Sequence, residues 1–509
     1  MPSHLLSWIV FAPLIGAAAV ISSPKRFQAW IKGLSLAATL APLVLACLAC
    51  CGTFSWASAE FQHAERIDWI RSIRAQYHVG VDGLSLALVA LMSLSFFVAA
   101  VASSYAARAS KAYFSLLLLL EVGVQGVFVS LDLFLLCAFW GLALVAMFFL
   151  IGVWGGAGRE QAAMKFHGFT LAGLLLVLAA VIALRLDSGT FSAPTLIELA
   201  RNGKLTGANL AGGGVLLGMN FSSWCFWCLF LGFAIQIPLV PLHSWLGDAT
   251  AEAPAPVSIC LAGILTKLGA FGLLRVCFPI LPDSFRELSF ALGAVGAAAI
   301  LYGALVSLGQ TDFRRLVASW TVSQMGFVLL GISAMTEAGV KGATLQLFSH
   351  GLSAAALLLT GGALFERMHR TAQGGSAARK ISLVQVILAI LGLCAAFGAP
   401  GFASFVSENS ALAGAYQSSD PRFKILAWIG AAGAIIGLFL ALSLVWRFLR
   451  LFLEMRKLPG ARAAEPTSRE MVCALFLVAA CAALGLVPSL LLEPLGPSAA
   501  QLVMLLRGP

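Results

Sequence analysis

Four ionisable side chains lie inside long apolar stretches of this sequence. Lys267 stands in the middle of one stretch, Glu121 follows five leucines in another, and His350 and Glu408 each lie in a further one. A charge at membrane depth is costly, and such residues usually face the protein interior or water, where they mark ion paths and proton relays. Amines, imidazoles and carboxylates are the groups that store and release protons in such relays. These residues therefore predict an ion path through the membrane.

Structural interpretations of the same residues must be considered beside the functional one. A lysine near the end of a span can snorkel to the membrane surface, but Lys267 lies about ten residues from either end of its span. A single histidine on an apolar helix, such as His350, is more often part of the packing. Glu121 lies among leucines and should have a partner inside the bundle or be protonated. Asp82 and Asp132 each precede a predicted helix and are interpreted as N-terminal caps.

The composition predicts a membrane protein. The chain has 509 residues, of which 60% are hydrophobic and 11% are charged, whereas soluble proteins have about 25% charged residues. Apolar runs of roughly 20 residues recur from end to end, and each is long enough to cross a bilayer. We therefore predict an all-α polytopic membrane protein with about fourteen transmembrane helices. The predicted spans are 5–21, 31–54, 84–105, 113–130, 132–153, 165–186, 222–246, 257–280, 288–309, 315–335, 342–364, 382–410, 424–452 and 471–493.

The net charge of +10 does not indicate a nucleic-acid partner, because the basic residues lie in short loops between spans. Lys25 and Arg26, for example, directly follow the first span. Basic loops are typical of the cytoplasmic side of a membrane protein. The distribution predicts that both termini face the other side, and that the lipid bilayer surrounds the chain.

The eleven cysteines predict neither a disulfide framework nor a metal site. Nearly all lie in apolar helices, and the C-x-x-C pairs Cys47/Cys50 and Cys225/Cys228 have no further ligands nearby in the sequence. The sequence also has no convincing nucleotide-binding, haem or iron–sulfur motif. We therefore expect that this chain binds no cofactor or metal and that any redox chemistry belongs to partner proteins.

Two spans contain helix-breaking residues. Pro238 and Pro241 interrupt span 7, which continues into a predicted polar loop with Asp248 and Glu252, and Pro400-Gly401 interrupt span 12. Broken helices five spans apart are typical of inverted repeats that meet at a site near the membrane centre. We predict two inverted five-helix repeats, spans 4–8 and 9–13. The predicted divisions are a three-span scaffold at 1–110, a first repeat at 111–280, a second repeat at 281–453, and a linker with a C-terminal span at 454–509.

One long motif resembles a known family. It reads P-L-H-x-W-L-x-D-A-x-x-E-A-P from Pro241 to Pro254, then L-A-G-x-L at Leu261–Leu265, and continues to Lys267 and Arg275. The motif resembles the antiporter-like membrane subunits of proton-pumping NADH:quinone oxidoreductase (respiratory complex I). The overall length, and the lack of a long lateral helix after the last span, resemble subunit M (chain 4).

The resemblance implies a membrane-arm subunit that couples electron transfer to proton translocation. It implies that NADH, FMN, iron–sulfur clusters and quinone are bound by partner subunits, and that the other membrane-arm subunits are partners in a bacterial inner membrane, with both termini on the periplasmic side. It places Lys267, His350 and Glu408 on the proton path. The accessory candidates are Glu121, Gln236, Gln324, His243 and Asp248.

Three positions depart from the family pattern. Gly141 stands where the family has a channel glutamate, Gln236 where it has the paired lysine, and Gln324 where a histidine is usual. Removing one partner of a buried ion pair costs about 3–5 kcal/mol, whereas removing both is nearly neutral. We therefore interpret Gly141 and Gln236 as one coordinated loss. The resulting hypothesis is a degenerate first half-channel, or a path that uses Glu121 instead.

Three alternatives stay open on the sequence. The chain could belong to a multi-subunit cation/proton antiporter or an energy-converting hydrogenase, whose subunits share these motifs. It could be a paralogue that couples proton flow to another process, such as inorganic-carbon uptake. The missing charges also allow a non-pumping structural paralogue.

Overall fold

The chain folds into a bundle of long helices. The structure is a computed structural model and describes residues 4–24, 27–103, 111–209, 214–216, 218–372, 383–456 and 468–507. Lys25 and Arg26, and most of the predicted linker, lie outside these residues. The helices are α1 Leu5–Ser22, α2 Gln28–Gly52, α3 Gly83–Ser103, α4 Lys111–Val129, α5 Leu133–Trp154, α6 Arg159–Ser188, α7 Ala193–Arg201, α8 Phe221–Gln236, α9 Ser244–Glu252, α10 Ala255–Ile280, α11 Pro282–Leu308, α12 Phe313–Ser333, α13 Glu337–Ala372, α14 Leu383–Ala396, α15 Ala403–Tyr416, α16 Phe423–Arg456, α17 Ser468–Leu486 and α18 Ser489–Arg507.

The predicted membrane fold is confirmed. Among the described residues, 12 helices are long and apolar enough to cross a membrane. Predicted spans 7, 12 and 14 correspond to shorter apolar helices, at Phe221–Gln236, Leu383–Ala396 and Met471–Leu486. The sequence analysis was wrong about the C-terminus of the last span, because α17 ends at Leu486 and a separate helix, α18, follows it. Pro494 and Pro497 obscure α18 in the sequence, yet both lie within it.

The two predicted helix breaks are present. Between α8 and α9 the chain passes through Pro238 and Pro241, and between α14 and α15 it passes through Pro400-Gly401. The predicted acidic loop after the first break is wrong, because Asp248 and Glu252 lie in α9. Trp245, Leu246 and Ala249 are buried on one face of that short helix, and their packing stabilises helix where the polar residues alone favoured a loop.

Two short β-hairpins lie between the helices, which the sequence analysis did not predict. The larger one pairs β1 (Gln62–Ile70) with β2 (Ala75–Val81) in an antiparallel arrangement, and a two-residue pair at 215–216 and 219–220 forms the other. The larger hairpin touches the chain between α4 and α5, where the Leu131 amide donates to the His78 carbonyl at 2.8 Å. We call this end of the bundle, where α3 and α5 begin and α4 ends, the hairpin side.

The opposite end of the bundle is joined by backbone contacts between α5, α6 and α9. The Gly156 amide donates to the Glu252 carbonyl at 2.8 Å, and the Gly158 amide donates to the Glu252 carboxylate at 2.9 Å. These bonds hold the C-terminal end of α9 against the chain between α5 and α6. The inverted relation of the two repeats and the four sequence divisions stay predictions.

Candidate functional site

Lys267 lies at the centre of a helix that is buried over most of its length. In α10, every residue of the most apolar 18-residue window is buried, and Lys267 itself has no exposed surface. Its ammonium donates to the Ala262 carbonyl at 3.0 Å and to the Thr266 hydroxyl at 3.3 Å. Ala262 belongs to a π-helical turn, Leu261–Leu265, a distortion that is frequent at functional sites. The structure therefore excludes the snorkelling interpretation for this lysine.

Lys267 faces His350, a residue of α13. The Lys267 ammonium is hydrogen-bonded to His350 Nδ1, and His350 is fully buried. Its other nitrogen, Nε2, lies 3.2 Å from the Thr321 hydroxyl on α12. Because that hydroxyl donates its single hydrogen to the Val317 carbonyl at 2.8 Å, its oxygen must accept from Nε2. This assigns the Nε2–H tautomer to neutral His350 and leaves Nδ1 free to accept from Lys267.

A second polar cluster surrounds Glu408 on α15. The Gln324 amide nitrogen donates to the Glu408 carboxylate at 3.0 Å. The Gln346 amide nitrogen donates to the Gln324 carbonyl oxygen, and the Ser407 hydroxyl donates to the Gln346 carbonyl oxygen. All four side chains are at most 6% exposed. The hydrogen bonds therefore run in one direction, from Ser407 through the two amides to the carboxylate.

One turn of α13 connects the two clusters. His350 and Gln346 are four residues apart, so they lie on one face of the helix, about 6 Å apart along its axis. The Trp320 ring lies between α12 and α13 at 4.8 Å from the His350 ring and at 5.2 Å from the Phe397 ring. The polar line thus runs from Lys267 to Glu408 beside the Trp320 and Phe397 rings.

Glu408 also borders a small cavity beside the second helix break. Ser307, Ser323 and Trp320 line it with Gln324, and its volume of about 10 Å³ is close to the minimum that holds one water. On its other side the carboxylate rests against Gly398, where an added Cβ would lie 2.7 Å from Glu408 Oε2. Gly398 has a φ of +69°, a conformation that glycine adopts without strain. The break after α14 therefore gives the backbone close access to this carboxylate.

Gln236 contacts the helix that carries Lys267, although it does not touch the lysine. Its amide nitrogen donates to the Leu265 carbonyl at 3.0 Å, at the end of the π-helical turn. Its amide oxygen has no hydrogen-bond partner among the described residues. Gly141 lies on α5, and an added Cβ there would meet only Leu174 at 3.6 Å. A side chain at position 141 could therefore be built without a clash at its first carbon.

Glu121 lies apart from both clusters. It is fully buried in α4, as the sequence analysis predicted. Neither carboxylate oxygen has a hydrogen-bond partner within the described part of the chain, so the expected partner is not found there. One turn further on, the Gln125 amide donates to the Ser93 hydroxyl at 2.7 Å.

His243 and Asp248 meet in a surface pocket at the end opposite the hairpin side. The Asp248 carboxylate pairs with Lys165 of α6 at 2.7 Å and with Arg315 of α12 at 3.1 Å. The His243 ring lies 3.1 Å from the Tyr302 hydroxyl and lines the same pocket. The ion pairs of Asp248 connect α9 with α6 and α12. They lie at the surface, away from the buried polar line.

The sequence analysis missed several residues of this arrangement. Gln346 and Thr321 were not singled out, although the four-residue spacing from Gln346 to His350 was a usable signal. The cap at Asp82 is confirmed, since its carboxylate accepts from the Ser85 amide at 3.0 Å. Asp82 also forms a buried ion pair with Arg275, which no local pattern indicated. The cap at Asp132 is confirmed too, with amides of Phe134 and Leu135 at 2.9 and 3.0 Å.

The described residues contain no group of three or more His, Cys, Asp or Glu side chains that could hold a metal ion. All eleven cysteines lie in the described part of the chain, and none of them forms a disulfide bond. Whether the chain binds a cofactor stays a prediction.

Comparison with known proteins gives consistent matches. Residues 130–436 match the family described as "NADH:quinone oxidoreductase/Mrp antiporter, TM". The chain is 34% identical to NADH-quinone oxidoreductase subunit M of Rhodobacter capsulatus, over 98% of this chain and 96% of that protein. Among solved structures, a chain of respiratory complex I from Thermus thermophilus has a TM-score of 0.83 and 27% identity, with 99% of this chain and 100% of that chain covered. A chain of the Mrp complex from Dietzia sp. has a TM-score of 0.74 and 19% identity, covering 99% of each.

Proposed function

The chain belongs to the family of membrane subunits that NADH:quinone oxidoreductases and Mrp antiporters share, and we propose that it is an M-type membrane-arm subunit that translocates protons. In this proposal, redox chemistry on NADH, FMN, iron–sulfur clusters and quinone takes place in partner subunits and drives proton movement here. The chain then lies in a bacterial plasma membrane beside the other membrane-arm subunits, with both termini on the periplasmic side.

The observation that carries the proposal is the Lys267–His350 hydrogen bond, which lies in the fully buried apolar segment of α10. A buried lysine and histidine in direct contact form a pair in which one proton can be shared or passed. In the assigned tautomer, His350 Nδ1 accepts a proton from Lys267 and becomes an imidazolium, which leaves Lys267 as a neutral amine. The reverse transfer recharges Lys267. No other group is needed for this step.

Glu408 supplies the second storage site. It accepts from Gln324, and it borders the small cavity at the second helix break. Gln324 and Gln346 hold the line between His350 and Glu408, but amides do not store protons. A proton that leaves His350 therefore reaches Glu408 through water or by rotation of side chains. Gln324 and Gln346 position Glu408 and do not carry the proton themselves.

The first half-channel is the part of the path that is weakened in this proposal. Gln236 still donates to the Leu265 carbonyl, so it keeps contact with the lysine-bearing helix without a charge. Gly141 offers no side chain. Both losses together remove an ion pair without leaving an uncompensated charge. They predict slower proton uptake by Lys267 through the first half-channel.

The proposal of a respiratory partner rests on the identity to subunit M proteins over nearly the full chain. The likeness to the Mrp chain, at 19% identity, concerns the fold alone. The testing experiment is mild-detergent purification of the tagged protein from its native membranes, with partners identified by mass spectrometry. We expect flavin and iron–sulfur subunits together with NADH:quinone activity. Recovery of antiporter subunits or a hydrogenase instead would contradict the respiratory assignment.

A Lys267→Ala variant separates a proton path from a structural role. We expect the variant to assemble with its partners and to oxidise NADH while it moves fewer protons per electron. The matched control is Lys341→Ala, because Lys341 is a partly exposed lysine that forms an ion pair with Glu337 one turn away on α13. If Lys267→Ala prevents assembly and Lys341→Ala does not, the chain has the structural role instead.

A further inference from the structure

A large cavity opens on the hairpin side, and its lining residues are separate from those of the Lys267–Glu408 line already described. We call it the vestibule. Its mouth carries Glu60, Glu198 and Arg201, which are exposed, and its base is formed by Phe128, Phe271 and Arg275. Its volume of about 400 Å³ is enough for on the order of ten waters at about 30 Å³ each. The charged mouth and this volume allow water to enter the cavity.

The base of the vestibule lies next to the helix segment that carries Lys267. Phe271 follows Lys267 by four residues within the regular α-helical segment Thr266–Gly272, so both side chains lie on one face, about 6 Å apart along the axis. Phe271 contacts Phe128 edge to face, with ring centroids 5.0 Å apart. Both rings are at most 4% exposed. The Phe128 and Phe271 rings therefore lie between the vestibule and the level of Lys267.

A buried ion pair lies beside the vestibule. The Arg275 guanidinium lines the cavity, lies under the Phe61 ring at 6.0 Å, and pairs with Asp82. Asp82 is fully buried behind Arg275, between Gly80 and Ser85, which line the cavity. Arg275 lies in a second π-helical turn, Leu273–Cys277. Because arginine does not release its proton in proteins, Asp82 is the proton acceptor of this pair.

We propose that the vestibule is a proton-exchange path between Lys267 and the aqueous phase on the hairpin side, with Phe128 and Phe271 as its gate and Asp82 as its relay. The proposal rests on the proposed function, in which Lys267 carries a proton. The Lys267 ammonium gives up one proton, water carries it past the two rings, and the Asp82 carboxylate binds it. Arg275, then unpaired, turns towards the vestibule, and Asp82 passes the proton to water there. Lys267 is left neutral and regains a proton when His350, as an imidazolium, returns its Nδ1 proton across their hydrogen bond.

The path explains how a chain without the Gly141/Gln236 charges could still connect Lys267 to water. The vestibule approaches Lys267 between α3, α4 and the end of α10. Gly141 and Gln236, in contrast, lie on α5 and α8. The two approaches are therefore independent in the structure.

The test measures protons moved per electron in membrane vesicles that contain the assembled complex with an Asp82→Asn chain. Asparagine keeps the cap to the Ser85 amide but cannot carry the proton. We expect the ratio to fall to that of the Lys267→Ala variant. The matched control is Asp132→Asn, another buried capping aspartate outside the vestibule, which we expect to keep the parent ratio. A parent ratio in Asp82→Asn, with loss in Lys267→Ala, would overturn the vestibule path alone. A parent ratio in both variants would overturn the proposed function itself.

Two further variants, one of them with a matched control, test the vestibule path if Asp82→Asn does not assemble. Phe271→Ala should raise passive proton leak several-fold, and Phe226→Ala, a buried ring stacked on Phe230 at 5.9 Å away from the vestibule, should not. Ser130→Cys places a thiol on the vestibule wall. A membrane-impermeant thiol reagent should then stop pumping in this variant when it is applied from the hairpin side and not when it is applied from the opposite side, which right-side-out and inverted vesicles distinguish. It should leave pumping by the parent chain, with its own cysteines, unchanged from either side. Equal leak in the two phenylalanine variants, or pumping that survives labelling at position 130, would refute the path.

Discussion

Gln324 gives the sharpest perturbation of the buried polar line, because it is bonded on both sides. It donates to Glu408 at 3.0 Å and accepts from Gln346. Gln324→Leu removes both bonds and leaves a carboxylate and an amide buried without these partners. Each buried group that loses its partner costs about 1–3 kcal/mol, so the two together cost about 2–6 kcal/mol.

The loss of these two hydrogen bonds should lower both the thermal stability of the complex and its proton transport. We expect the Gln324→Leu complex to unfold at a lower temperature and to move fewer protons per electron, since Glu408 loses the donor that orients it. Gln324→His is the matched variant, because a neutral imidazole has one donor and one acceptor nitrogen and can keep both bonds. It also adds a group that stores a proton, so its proton ratio should equal or exceed that of the parent.

The assay is NADH-driven acidification of inverted vesicles, measured beside the rate of NADH oxidation, with thermal unfolding of the purified complex as the second readout. If Gln324→Leu retains the parent's unfolding temperature and proton ratio, the amide line does not hold Glu408 in a working position. That result would refute the reasoning from these hydrogen bonds.

Three other predictions concern separate parts of the chain. Gly141→Glu with Gln236→Lys should raise the protons moved per electron, whereas Gln236→Lys alone buries an unpaired charge at a cost of about 3–5 kcal/mol and should lower the yield of complex; no gain in the double variant contradicts the idea of a lost pair. Glu65→Ala should lower stability by about 0.5–2 kcal/mol, because Glu65 caps α1 by accepting from the Leu6 and Ser7 amides at 3.0 and 3.3 Å; unchanged thermal unfolding would exclude this cap. Gly398→Ala should impair pumping, because it forces a side chain into a positive-φ position at a cost of about 1–3 kcal/mol and against Glu408; a proton ratio equal to the parent's would show that the break tolerates a side chain.

The sequence predicted the helices of the fold better than the contacts between them. Long apolar runs identify membrane helices because a bilayer admits few other structures, and the prolines at positions 238, 241 and 400 located both breaks. α9 was missed because its stability comes from the burial of Trp245 and Leu246 rather than from its own polar residues. The β1–β2 hairpin was missed because its strand residues do not alternate clearly between apolar and polar types.

The candidate site was predicted as separate residues rather than as a network. Lys267, His350 and Glu408 stand out because each interrupts an apolar run. Their partners do not, since Lys267 and His350 are separated by 83 residues and only the folded bundle decides which helix faces face each other. Asp82 shows the same limit: its cap is local and was predicted, whereas its ion pair with Arg275 joins two distant helices.

The central claim is that Lys267 and His350 pass protons across the membrane in an assembled oxidoreductase. The most direct measurement is the number of protons moved per electron in vesicles with the Lys267→Ala chain, beside vesicles with Lys341→Ala. The account predicts a lower ratio for Lys267→Ala at an unchanged NADH oxidation rate per assembled complex, and the parent ratio for Lys341→Ala. Equal ratios in the two variants and the parent would contradict it.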